Sequence, residues 1–211
     1  MSVINKAKET MTAKERVWRT FHHEKTDRVT IGYETNPAVH ARVAQALGIP
    51  DGDMEQVYQA FGVDYRAVGA PYIGPQLFPS KPDRNVDLLE GCYMRWVPNK
   101  DGGYWDFCDF PLQDADDEMI ASYPVPNPDD FDYDTALEYA KANKDMALAI
   151  GGDGNACVIN SNGFLRGMEQ TLIDLATDDE AGLLLAKRRT DAEFGIMERL
   201  LDKCGDYITV M

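Results

Sequence analysis

The stretch LDKCGDYITVM, residues 201–211, decides how the rest of the sequence is read. A long helical pattern runs into Gly205, and the short β-branched run Tyr207, Ile208, Thr209, Val210 follows it. Such a run predicts a buried strand. Earlier segments repeat the pattern, with strands expected at Val29–Tyr33, Val63–Val68 and Met146–Ile150. Between them lie helical stretches with start and stop signals. Thr12-Ala13-Lys14-Glu15 is a capping box opening a helix from Ala13 to His23. Asn36-Pro37 starts a helix that stops at Gly48, and another runs from Met54 to Phe61. Helices are expected at Thr135–Asn143, Gly163–Ala176 and Asp178–Lys203, the last opened by a capping box at Thr177–Glu180. Strands alternating with helices predict an α/β fold with a parallel sheet and right-handed crossovers. One stretch departs from this rhythm. Residues 91–112, GCYMRWVPNKDGGYWDFCDFPL, read as an antiparallel hairpin turning at Lys100-Asp101-Gly102-Gly103.

Composition narrows the function classes. The 211 residues are 44% hydrophobic, enough for a real core in a single domain spanning 1–211. Net charge is −15, which argues against nucleic acid or an anionic membrane as partner. No run of 18 apolar residues offers a membrane span, and the charged opening lacks a secretory signal. Four scattered cysteines without C-x-x-C spacing suit reduced thiols in a cytoplasmic protein. No H-x-C, H-E-x-x-H or C-x-x-C pattern is present, so no metal site is expected within the chain.

In parallel α/β folds the loops after the strands carry the chemistry. The first such loop offers Tyr33, Glu34 and Asn36 for substrate binding. The loop after Ile150 offers Asp153 as a catalytic group and Asn155, Asn160 and Asn162 as binding groups. The alternative for that loop is a solvated turn held by Asx-type hydrogen bonds. Asp64, inside an apolar run, is either a carboxylate at a strand start or a catalytic residue facing the site. His22 and His23 read as structural at a helix end, and His40 as a lone surface histidine. Gly151-Gly152-Asp153-Gly154 is not G-x-G-x-x-G and is discounted as a phosphate loop.

Several of these segments resemble one family. MTAKERVWRTFHHEKTDRVTI, residues 11–31, looks like the opening of the uroporphyrinogen decarboxylase superfamily, where a T-x-x-E-R helix leads through an Asp-Arg pair into the first strand. YPVPNPDDFDYD resembles the proline-rich approach to a later strand in the methyltransferase-like members. NGFLRGMEQTLIDLATDDE is similar to the family's R-G-x-E helix and the link that follows it, and CGDYITVM resembles a further barrel strand.

The resemblance implies a (β/α)8 barrel of TIM type, of which this chain would be an amino-terminal portion with an inserted hairpin. An open sheet edge would then invite self-association. It implies Asp64 as the counterpart of the family's catalytic aspartate. Decarboxylases carry a Met-Arg-Gln-Ala-Gly-Arg segment after the first strand, whose arginines hold substrate carboxylates. Tyr33-Glu34-Thr35-Asn36-Pro37 stands there instead. The corrinoid-dependent methyltransferase-like branch is therefore the expected activity, moving a methyl group between a corrinoid protein and a thiol or another small substrate. Its zinc ligands would lie beyond Met211. The alternatives are uroporphyrinogen decarboxylation and a catalytically silent barrel working through association with another chain.

Overall fold

The computed structural model describes residues 7–49, 52–87, 89–100, 102–151 and 158–211. It is a mixed α/β structure with two small sheets, neither closed into a barrel. The chain divides into two compact units. Residues 1–69, 135–150 and 204–211 form the first, and residues 70–134 and 151–203 the second.

In the first unit, α1 (Ala13–Phe21) starts where the Thr12 hydroxyl accepts the Glu15 N–H at 3.1 Å. The Glu15 carboxylate pairs forward with Arg19, so half of the expected capping box is made. Helix α2 (Pro37–Leu47) is capped by Asn36, and α3 (Met54–Phe61) by Asp53. Strands β1 (Tyr65–Ala67), β5 (Ala147–Ala149) and β6 (Ile208–Val210) form a parallel sheet in the order β1-β5-β6. Three of the four expected parallel strands are therefore present. The fourth, Val29–Tyr33, is not a strand. It runs beside the start of β1, where the Asp64 N–H bonds to the Ile31 carbonyl at 2.9 Å. Val29 there is 81% exposed, so little apolar burial favours regular pairing. The core of this unit is Val17, Val57, Val63, Val68, Leu148 and Ile150 with the small residues Ala136, Ala140 and Ala147. Helix α5 (Tyr133–Ala142) leads into β5.

In the second unit the hairpin is β3 (Tyr93–Val97) against β4 (Tyr104–Cys108), extended by a short β2 (Asn85–Val86). Trp96 faces Trp105 across the hairpin, their rings edge to face at 5.4 Å. Phe107 stacks on Phe164 with centroids 3.5 Å apart. Helix α4 (Asp117–Ser122), capped by Asp116, was not expected from sequence. The helix expected at 163–176 is two helices, α6 (Val158–Arg166) and α7 (Met168–Thr177), broken at Gly167. Gly167 has φ +79°, a conformation that β-carbons disfavour. The final helix α8 (Glu180–Cys204) is capped by Asp179, whose carboxylate accepts the Gly182 N–H at 2.8 Å. Thr177 belongs to α7, where its hydroxyl donates to the Ile173 carbonyl, so the second expected capping box does not form. Cys92, Leu112, Ile120, Leu165, Ala181 and Leu185 make this unit's core. No helix among the described residues is long and apolar enough to cross a membrane.

Candidate functional site

Asp64 immediately precedes β1, at the amino end of the parallel sheet. It is fully buried. One oxygen accepts Arg16 Nη1 at 2.5 Å and Arg28 Nη2 at 2.9 Å, and the other accepts Arg28 Nη1 at 2.7 Å and the Ile31 N–H at 2.8 Å. Asp27 completes the cluster, holding Arg16 Nε at 2.6 Å and the Thr10 and Met11 N–H groups. The Asp27 carboxyl is held far below the usual carboxylate range, first by Arg16 and then by the Thr10 N–H. The Arg16 guanidinium is pushed up, chiefly by Asp27. The T-x-x-E-R and Asp-Arg motifs thus supply an internal counter-ion network. Asp64, expected either as a carboxylate at a strand start or as a catalytic residue, stands at the strand start. Its lone pairs are committed, and ligands of parallel sheets bind at the opposite, carboxyl ends of the strands.

A second clamp lies in the other unit. Arg166, the arginine of the R-G-x-E segment, gives Asp174 a two-pronged contact at 2.5 and 3.0 Å. Gln170 adds a bond to Asp174 at 2.8 Å. Burial pushes the Asp174 carboxyl up, but the bonds from Arg166 and Gln170 outweigh it and hold the group below its ordinary value. Asn162 lies beside this clamp, 3% exposed, with an Oδ1 that has no partner among the described residues. Asn162, Arg166, Thr171, Asp174 and Gly182 border a cleft with room for about one water molecule.

Gly182 packs against the clamp so closely that an added β-carbon would sit 2.4 Å from Asp174 Oδ2. In an ordinary helix interior, Gly→Ala gains about 1 kcal/mol. Here the sign should reverse, and Gly182→Ala is expected to lower the thermal midpoint. A raised midpoint would show that Asp174 moves aside freely.

Acid should weaken both clamps. Asp27 and Asp174 titrate lower in the folded chain than their ordinary 3.8, so the unfolded chain binds more protons as pH falls below about 4. The stability they contribute is full above that value and is lost as pH falls towards the folded values. Urea midpoints measured from pH 6 to pH 2 should fall throughout the acid limb.

In the first unit, Tyr33 ends the 29–33 segment. Its hydroxyl lies 3.1 Å from His40 Nδ1, and His40 Nε2 lies 2.7 Å from the Gly52 carbonyl. A carbonyl only accepts, so Nε2 carries a proton, and in the neutral imidazole Nδ1 accepts from the Tyr33 hydroxyl. His40, read from sequence as a lone histidine, is therefore the partner of Tyr33. Tyr33 also packs on Tyr58 and Phe61. Glu34 is exposed, and Asn36 is engaged as the α2 cap, accepting the Ala38 N–H at 2.9 Å. Asn160 and Asn162 lie two residues apart on α6 and point to different sides, the first exposed and the second buried. They do not share one site. Asp153 and Asn155 lie outside the described residues.

Two other buried guanidiniums also face carboxylates, although the buried Nε of Arg189 has no partner among the described residues. Arg66 holds Glu55 at 2.7 Å and depresses that carboxyl, while stacking on Tyr58. Arg189 pairs with Glu90, whose own carboxyl is raised by burial despite that contact. Burial pushes the neighbouring Cys92 thiol up to about 12, which makes it a poor nucleophile. Among the described residues no group of three histidine, cysteine or acidic side chains is arranged to hold a metal, so the zinc implied by the resemblance has no ligand set here. No family model matches the chain, and no curated protein and no solved structure matches it either.

Proposed function

We propose that the chain is part of a uroporphyrinogen decarboxylase-like barrel of the methyltransferase-like branch, acting on a small neutral or cationic methyl-bearing substrate supplied with a corrinoid protein. The observation that carries this reading is the fate of the buried arginines. Arg16, Arg66, Arg166 and Arg189 each face a carboxylate of the chain itself. A polycarboxylate porphyrinogen needs unpaired guanidinium forks to offset its desolvation. The loop after residues 29–33 supplies Glu34 and neutral groups instead. The Tyr33 proton is directed to His40, which leaves the phenol oxygen as an acceptor, suited to a ligand that donates or is positively charged. A chain with net charge −15 also repels a polyanion.

Calorimetric titration tests the reading, with uroporphyrin in one arm and methylcobalamin in the other. Uroporphyrin should produce no saturable heat, and methylcobalamin should. Micromolar affinity for uroporphyrin would restore the decarboxylase alternative.

A further inference from the structure

Helix α7 is built inside out. Its inward side is polar: Thr171 and Asp174 are buried, and Gln170 reaches Asp174. Its outward side is apolar. Met168, Leu172, Ile173 and Leu175 are exposed by 40, 51, 45 and 39%. A surface helix of a globular protein ordinarily shows the reverse arrangement. The cause is the Arg166 clamp, which draws the polar stripe of α7 inward and turns the apolar residues out. Contiguous exposed apolar surface of this kind marks a docking site.

Charge identifies what docks. Glu169 stands on the same outward side, three and four residues before Leu172 and Ile173. Asp178 and Glu180 are exposed at the far end of the helix. Residues 167–186 contain no lysine or arginine. A second copy meeting this face through a two-fold axis would set these carboxylates against themselves, which like-charge repulsion opposes. We infer that the outward face of α7 receives a basic amphipathic helix from a partner protein. The partner's apolar side lies along Leu172 and Ile173, and its lysines or arginines reach Glu169, Asp178 and Glu180.

The test uses the full chain and a fluorescein-labelled helical peptide made of leucine and lysine in amphipathic order, followed by anisotropy. Saturable binding is expected, weakened by salt. The double variant Leu172→Gln/Ile173→Gln keeps the net charge and should bind about tenfold or more weakly. Val29→Gln, exposed in the other unit, should bind as the parent does. The matching leucine–glutamate peptide should not bind. Circular dichroism should show the double variant as helical as the parent, since both side chains are exposed. Equal binding by the double variant would overturn the inference, because general attraction to an acidic protein would then explain the result. Equal binding of the glutamate peptide would also overturn it. So would a concentration-dependent dimer abolished by the double variant, which would make a second copy the occupant.

Discussion

Replacing Asp64 with alanine should destabilise the chain by about 3–5 kcal/mol, the range found when one partner of a buried ion pair is removed. Two guanidiniums would then face each other without the carboxylate that separates them, since Arg16 and Arg28 both bind it. The Ile31 N–H would lose its acceptor as well, loosening the segment that runs beside β1. Natural domains are stable by roughly 5–15 kcal/mol in total, so the variant should sit near the edge of folding. Equilibrium urea unfolding measures this directly. The more conservative Asp64→Asn should also be costly, because an amide keeps the shape but not the charge. An Asp64→Asn variant with parental stability would mean that the carboxylate is not needed as a counter-ion, and would return it to candidacy as an acid or base.

Arg166→Met carries the second large effect. Asp174 would remain 3% exposed with Gln170 as its side-chain donor and no positive charge beside it. A loss of about 3 kcal/mol is expected from the same argument. The variant should also change α7, because the polar stripe that now faces inward would lose its reason to do so. Near-unchanged stability would show that the clamp is incidental.

The parts of the fold legible in sequence are those where local chemistry and burial agree. Met146–Ile150 and Tyr207–Val210 are apolar and flanked by breakers, and both contain strands of the parallel sheet. The hairpin follows from paired aromatic runs around a glycine turn. Asn36-Pro37 caps its helix as the dipeptide alone suggests. The misreadings arise where tertiary contacts outweigh local pattern. Val29–Tyr33 has strand-like residues, but its backbone bond goes to Asp64, just before β1. Gly167 divides one apparent helix because its left-handed backbone turns the chain there.

The site was legible only in part, for a related reason. Asp64 was singled out for lying in an apolar run, which correctly marks burial but does not separate a counter-ion from a catalytic group. The arginines that bind it come from positions 36 and 48 residues away. Sequence spacing carries no trace of such a pairing. His40 has no metal-ligand spacing in the sequence, and its contact with Tyr33 depends on how α2 folds back. Asn160 and Asn162 were grouped by proximity in sequence, but a helix separates residues two apart.

The buried guanidiniums of Arg16, Arg66, Arg166 and Arg189 serve the chain's own carboxylates. A double-mutant cycle on Arg166 and Asp174 tests it most directly, using Arg166→Met, Asp174→Leu and the pair together in urea unfolding. Each single variant should be strongly destabilised, and the double variant should recover much of the loss, giving a coupling of at least about 1.5 kcal/mol. Additive losses, with coupling below about 0.5 kcal/mol, would contradict it.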